Sequence, residues 1–313
     1  MTAPVLFPMP GNDAFCAHLA SLMHARQGEL DYRRFPDGES YVRLDTPVAG
    51  FDVALICTLN APDEKTLALL FAARTARELG ARSVGLVAPY LAYMRQDKRF
   101  QAGEALTSAQ YGALLSPAFD WLVTVDPHLH RHKSLDDLYS VPSAVVHAAP
   151  VISEWVREQL AHAVLIGPDS ESEQWVGQVA AGAGCPYLIL RKTRRGDRDV
   201  SVSAPEIKRW RDRVPVLIDD IISTARTMIA AAAHFKDAGM QAPVCIGVHG
   251  VFAGTAHADL LAAGAARVVT CNTIPHPTNA IDLAPALAQA AARMASHTTQ
   301  RSAGHSRRDG VTT

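Results

Sequence analysis

Short apolar runs alternate along the chain with longer stretches whose apolar positions recur at helical spacing. Runs at Val53–Leu59, Ser83–Pro89, Trp121–Val125, Ala163–Ile166, Tyr187–Leu190, Val214–Ile218, Val244–Val248 and Arg267–Cys271 have the length and content of buried strands. Between them, Glu64–Leu79, Glu173–Ala181 and Thr227–Ala238 carry the pattern of amphipathic helices, the last meeting a helix stop at Gly239. Strand, helix, strand in repetition predicts an α/β fold with mainly parallel sheets flanked by helices. Two stretches also read alike. Leu59-Asn-Ala-Pro-Asp-Glu, a helix and a strand up to Tyr90 resemble Ile166-Gly-Pro-Asp-Ser-Glu, a helix, Gly184 and a strand up to Lys192. This predicts an internal duplication of the sheet, with a boundary near Pro142–Pro150. The expected units are residues 1–145 and 146–295, followed by a polar, aperiodic tail over 296–313 that predicts disorder.

Composition narrows the chemistry. At 313 residues, 48% hydrophobic and 19% charged, the chain has room for two globular domains. Thirty Lys+Arg against 31 Asp+Glu leave a net charge of −1, which argues against sequence-independent nucleic-acid binding and requires any anion site to be local. Met1–Asp13 has neither a basic nor an apolar leader pattern, and no apolar run reaches the roughly 18 residues of a membrane span, so a cytoplasmic chain without membrane association is expected. Cys16, Cys57, Cys185, Cys245 and Cys271 are scattered without CxxC spacing and read as reduced core residues.

The most informative stretch is Val214-Pro-Val-Leu-Ile-Asp-Asp-Ile-Ile-Ser-Thr-Ala-Arg-Thr-Met. A buried strand ends in two adjacent carboxylates, Asp219 and Asp220, and Ser223, Thr224, Ala225, Arg226 and Thr227 open an alanine-rich helix. Ligands of open α/β sheets sit beyond the carboxyl ends of the strands. Backbone N–H groups and hydroxyls at a helix start can cradle a phosphate, and paired carboxylates beside them can take hydroxyls or Mg²⁺. Elsewhere, Pro36-Asp37-Gly38 has turn chemistry. Arg95-Gln-Asp-Lys-Arg-Phe and Lys192-Thr-Arg-Arg-Gly-Asp-Arg are charge-rich segments after strands, the second able to serve as a cationic lid. His128, His130 and His132 alternate, which would place them on one face of an extended segment, yet they lack the partner spacing of a zinc site. Neither GxxxxGK[ST] nor GxGxxG occurs, which disfavours a P-loop kinase or a dinucleotide oxidoreductase.

The Asp-Asp stretch resembles the signature of type I phosphoribosyltransferases. Six further motifs narrow the likeness to the ribose-phosphate pyrophosphokinase family: Phe35-Pro-Asp-Gly-Glu, Pro89-Tyr-x-x-Tyr-x-Arg-Gln-Asp-x-Arg, Asp126-Pro-His, Gly167-Pro-Asp with Lys192-x-Arg, His249-Gly-Val-Phe-Ala-Gly and Thr273-Ile-Pro. The resemblance implies two tandem phosphoribosyltransferase-like domains. It also implies the reaction ATP + D-ribose 5-phosphate → 5-phospho-α-D-ribose 1-diphosphate + AMP, with Mg²⁺ as cofactor. By the same resemblance Phe35, Asp37, Gly38 and Glu39 embrace adenine from a neighbouring subunit, while Arg95, Gln96, Asp97 and Arg99 form the rest of the ATP site. His128 and Asp169 are implied as metal contacts, and Lys192 and Arg194 as transition-state cations. Arg194, Asp219, Asp220 and Ser223 to Thr227 are implied as the ribose 5-phosphate site. A homo-oligomer, either a dimer or a hexamer built from dimers, is the implied assembly.

Two departures stand out. Ser170-Glu171-Ser172-Glu173 replaces the family's Ala-Gly-Gly after Pro-Asp, putting two acids near an anion subsite unless they face away and cap a helix. Ala225-Arg226 replaces Gly-Gly in the phosphate turn, trading backbone freedom for a cation. The competing readings are a salvage phosphoribosyltransferase and a non-catalytic homologue that binds nucleotide and modulates an active partner.

Overall fold

The computed structural model describes residues 3–129, 131–190, 193–195, 199–201 and 208–306. The chain forms two compact units: Met1–Val146 together with the segment from Ala284, and His147–Leu283.

The first unit contains β1 (Val5–Pro8), α1 (Asp13–Leu22), β2 (Arg26–Gln27), β3 (Leu30–Arg34), β4 (Ser40–Leu44), β5 (Asp52–Ile56), α2 (Pro62–Glu78), β6 (Ser83–Ala88), α3 (Thr107–Leu115), β7 (Trp121–Val125) and β8 (Ser143–Val146). Its six-stranded sheet has the order β2-β1-β5-β6-β7-β8, every neighbour parallel, with β3 and β4 forming a separate antiparallel hairpin. Every residue of β5, β6 and β7 is buried, as a parallel sheet covered on both faces requires. Phe7, Leu55, Leu69, Leu86 and Leu115 anchor this core. Gly85 is fixed by packing: a Cβ there would lie 2.0 Å from the Trp121 indole on β7.

The second unit contains α4 (Ala149–Gln159), β9 (Ala163–Gly167), α5 (Glu173–Ala183), β10 (Tyr187–Ile189), β11 (Thr193–Arg195), β12 (Asp199–Ser201), β13 (Val214–Ile222), α6 (Arg226–Asp237), β14 (Val244–Gly250), α7 (Ala256–Ala262), β15 (Arg267–Cys271) and β16 (Asn279–Ile281). Its sheet, β10-β9-β13-β14-β15-β16, is again all parallel, and β11 and β12 pair antiparallel. Val164, Ile166, Leu217, Phe235 and Leu260 lie in its core. Left-handed Gly184 and Gly239 follow α5 and α6, with glycine supplying the positive φ that ends a helix.

The two units therefore repeat one topology. Each has two sheet strands, an antiparallel hairpin outside the sheet and four more sheet strands in the same lateral order. The register of the repeat differs from the sequence expectation. Leu59 follows β5, the third sheet strand of its unit, whereas Ile166 lies in β9, the first of its own. The counterpart of β5 is β13. The segment Pro-Asp-Glu looks like Pro-Asp-Ser-Glu because both open helices after strands, a local requirement that recurs wherever a parallel strand ends.

The chain's last helix also departs from expectation. α8 (Ala284–Ser306) packs on α1 and against β6, β7 and β8 of the first unit, and does not close the second. Its apolar stripe required a sheet to cover without specifying which one. Helix continues past Ser296, where the polar composition predicted loss of order; residues 307–313 lie outside the described residues. β1 escaped the sequence pattern because Pro4, Pro8 and Pro10 crowd its three apolar residues Val5–Phe7, and proline reads against a strand. Cys16, Cys57, Cys245 and Cys271 are buried free thiols and Cys185 is half-buried. Among the described residues, no helix is long and apolar enough to cross a membrane.

Candidate functional site

In each unit several motifs follow the carboxyl ends of parallel strands, whereas Phe35–Glu39 and Arg194 lie on the antiparallel hairpins outside the sheets.

In the second unit, β13 carries Asp219 and Asp220 near its end, both half-buried. Asp219 Oδ1 accepts the Asp220 amide at 3.0 Å. Burial, followed by the charge of Asp220 and more weakly that of Asp169, holds the Asp219 carboxyl well above the usual carboxylate range. The turn that follows brings Ser223, Thr224, Ala225, Arg226 and Thr227 to the start of α6. Ala225 is left-handed at φ 55°, ψ 7°, so the conformation that glycine takes at no steric penalty is adopted here by alanine. α6 has no acidic residue in its first turn, and Arg226 is an exposed guanidinium at its first position. A helix N-terminus without acids and with an added cation favours an anion.

After β9, Asp169 caps the short turn Ser170–Ser172: its Oδ1 accepts the Glu171 amide at 3.1 Å and the Ser172 amide at 3.3 Å. Glu171 and Glu173 are both exposed at helix starts, Glu173 in the first turn of α5, where the helix dipole favours acids. Lys192 lies outside the described residues. Arg194 is on β11, opposite Val200 in the hairpin with β12.

In the first unit the hairpin β3–β4 turns through Phe35-Pro36-Asp37-Gly38-Glu39. Gly38 has φ 93°, its amide donates to Phe35 O at 2.9 Å, and the Glu39 amide donates to Asp37 Oδ1 at 3.2 Å. Phe35 is exposed at the turn, edge-on to Tyr41, and Arg33 lies 5.1 Å and 4.2 Å over the two rings. Beyond β6, Arg95 is exposed and Gln96 half-buried; Arg99 Nε donates to Glu104 O at 2.8 Å. Asp97 is buried and accepts both of its contacts from Arg131 Nη1 at 3.1 Å. That ion pair ties the Arg95–Arg99 loop to the segment following β7.

The segment after β7 is not extended. Asp126 has φ 27° and His128 φ 46°, so the alternation of histidines does not place them on one face; His130 lies outside the described residues. Left-handed conformations at non-glycine residues are strained and concentrate at functional loops. Sequence reasoning missed this strain, and it missed Arg131 and the left-handed Tyr93, whose hydroxyl donates to Asp63 on α2. A single basic residue in a polar loop gives no sign of which carboxylate it will meet. Among the described residues, no three His, Cys, Asp or Glu side chains are grouped to hold a metal by themselves.

Residues 4–118 match the N-terminal domain of ribose phosphate pyrophosphokinase and residues 134–288 the phosphoribosyl transferase domain. The chain is 32% identical over 275 residues to a ribose-phosphate pyrophosphokinase of Methanopyrus kandleri, covering 87% of this chain and 93% of that one. It is 31% identical over 274 residues to one of Methanothermobacter thermautotrophicus, covering 87% and 94%. The crystal structure of phosphoribosylpyrophosphate synthetase from Mycobacterium smegmatis has the same fold, with a TM-score of 0.80 over 93% of this chain and 98% of that one at 24% identity. With both domain models in order and relatives of this identity along nearly their whole length, the chain belongs to the ribose-phosphate pyrophosphokinase family.

Proposed function

We propose that the chain transfers the diphosphoryl group of ATP to the C1 hydroxyl of D-ribose 5-phosphate, giving 5-phospho-α-D-ribose 1-diphosphate and AMP. The observation that carries this reading is the end of β13, where a half-buried acid pair precedes a hydroxyl-bearing turn into an acid-free helix start. The name shared by the relatives supports the same reaction. In this reading Asp219 and Asp220 orient the ribose hydroxyls. The amides and hydroxyls of Ser223, Thr224, Ala225 and Thr227, with Arg226, hold the 5′-phosphate.

The anomeric hydroxyl oxygen attacks the β-phosphorus in line and loses its proton to water. The bond from that phosphorus to the α,β-bridging oxygen breaks, and AMP leaves. Such transfer depends on positioning and electrostatics more than on covalent help from the protein. A divalent cation, which we assign as Mg²⁺, would neutralise phosphate charge when bound. Burial first, and then the charges of Asp220 and Asp169, raise Asp219; a hard cation suits such neighbouring carboxylate oxygens, and Asp169 and His128 are the contacts we assign to it. Lys192 and Arg194 are assigned to the charge that develops on the transferred group, so Lys192→Ala is expected to lower kcat far more than ribose 5-phosphate binding. For ATP we assign Arg95, Gln96, Asp97 and Arg99, together with Phe35, Asp37, Gly38 and Glu39 contributed across a homo-oligomer built from dimers, in the cytoplasm.

A coupled assay of AMP release from ATP and ribose 5-phosphate with Mg²⁺ tests the reading. AMP formation dependent on both substrates is expected, and its absence would overturn the proposal.

A further inference from the structure

Beyond the end of β14 lies a cluster that the reaction as derived above does not use. Phe252 is left-handed at φ 44°, a strained state for a bulky residue. Its ring lies edge-on to His257 at 5.3 Å and tilted against His276 at 4.5 Å, and the two imidazoles are 5.0 Å apart and edge-to-face. His276 is itself fixed. Its amide donates to Asn279 Oδ1 at 3.0 Å, and its Nδ1 faces Thr278 Oγ1 at 2.8 Å and accepts the Thr278 amide at 3.3 Å. Thr278 Oγ1 is in turn 2.8 Å from Thr270 Oγ1 on β15. The floor beneath the ring is bare: a Cβ on Gly250 would lie 2.7 Å from Phe252 Cε2 and 2.9 Å from Thr270 Cγ2.

The strained backbone has a clear consequence for its neighbour. The Phe252 amide donates to Ile222 O at 3.0 Å, and the Ala253 amide donates to Ser223 O at 3.0 Å. These two bonds grip the last residue of β13 and the first residue of the Ser223–Thr227 turn. In the left-handed state at Phe252 both amides serve the same neighbouring segment. The aromatic cluster and the bare Gly250 hold the ring, and with it that state.

We propose that Phe252 is a positioning residue for the 5′-phosphate turn. Clamped by His257 and His276 over Gly250, it fixes the amides that set where the backbone of Ser223 begins its turn around the phosphate. This rests on the assignment of Ser223–Thr227 to ribose 5-phosphate. Phe252 makes no contact with a substrate in this account, and it acts through the backbone bonds to Ile222 and Ser223.

The test compares Phe252→Ala, which removes the ring, with Gly250→Ala, which displaces it, and with Phe252→Tyr, which keeps an aromatic ring. Misplacing a binding loop by a fraction of an ångström should raise the KM for ribose 5-phosphate about tenfold in the first two variants, with the KM for ATP within about twofold and kcat little changed. Phe252→Tyr should restore the wild-type KM. Equal rises in both KM values, or an unchanged ribose 5-phosphate KM in folded variants, would overturn the proposal. Hydrogen exchange on the wild-type protein supplies a reading that needs no variant. The amides of Phe252 and Ala253 should gain protection with ribose 5-phosphate alone and not with ATP alone, and no gain would also overturn it. Wild-type protein that releases no AMP would instead overturn the functional reading, which separates the two failures.

Discussion

After β5 the chain runs Cys57-Thr58-Leu59-Asn60-Ala61 into α2, and after β13 it runs Ser223-Thr224-Ala225 into α6. β5 and β13 hold the same place in their sheets, and each loop ends in a left-handed alanine, Ala61 at φ 51° and Ala225 at φ 55°. What fills the two loops differs. In the first unit Lys65 turns back into its own loop, donating to Thr58 O at 2.8 Å and to Asn60 Oδ1 at 2.5 Å. Burial holds its ammonium below the ordinary lysine range. α2 starts with Pro62, which has no N–H to offer, and with Asp63 and Glu64, which answer the helix dipole from within the chain. In the second unit the turn has no such plug among the described residues, no acid stands in the first turn of α6, and Arg226 adds positive charge. One left-handed turn is thus closed by its own side chain in one copy and, in the other, left with the acid-free, cationic helix start to which we assign an anion. The side chains of the helix's first turn decide which.

The sharpest way to break this comparison is to remove an acid beside the cradle. Asp219→Asn or Asp220→Asn should lower kcat/KM for ribose 5-phosphate by about 100-fold or more, as loss of a polar group preorganised at a reacting centre does. Steady-state kinetics would check it. Lys65→Met, in the other loop, should leave kcat/KM within about threefold and lower stability by about 1 to 2 kcal/mol, because two part-buried hydrogen bonds are lost. Urea denaturation reads that loss.

Next in size, Arg226→Gly restores the residue type common in the family turn. It should raise the KM for ribose 5-phosphate about tenfold, the worth of a charge-assisted hydrogen bond, with less effect at high salt. A KM unchanged at low ionic strength would remove Arg226 from the cradle.

The pH dependence of stability sharpens the contrast further. Asp219 binds its proton more tightly in the folded than in the unfolded chain. Its stabilising contribution is therefore complete below the ordinary value near 3.8 and is lost as pH rises through the raised folded value. Thermal melts of the ligand-free protein across pH should show wild type losing ground to Asp219→Asn on the alkaline side, and Mg²⁺ with ribose 5-phosphate should narrow that gap.

The smallest effect tests the shared backbone. Ala61→Gly and Ala225→Gly should each relieve a left-handed alanine, worth about 1 kcal/mol, and the two gains should be similar. Unequal gains would show that the loops differ in backbone strain as well as in what fills them.

Much of the second unit's site was legible in sequence, because a strand that must be buried rarely ends in two acids followed by three hydroxyl residues. The first unit's site was less so. Phe35-Pro-Asp-Gly-Glu reads as a turn and Arg95 to Arg99 as a charge run, and each took on a specific meaning only through the family likeness. Arg131 gripping Asp97, and Phe252 gripping Ser223 through its neighbour's amide, had no sequence signature. Both depend on partners tens of residues away whose approach is set by sheet order. The duplication was visible, and its register was misread, because helix starts after parallel strands share the same few residue types.

By itself the sequence determined the local facts: where apolar runs form strands, where Gly184 and Gly239 stop helices, and which polar residues fall at strand ends. Burial, φ preference and helix periodicity act over a few residues, so they are written locally. Only the tertiary structure decided that α8 covers the first unit's sheet, that β5 and not β9 matches β13, and that Lys65 fills the loop after β5. Those outcomes depend on which surfaces meet, and many pairings satisfy the same apolar pattern until the sheets are assembled.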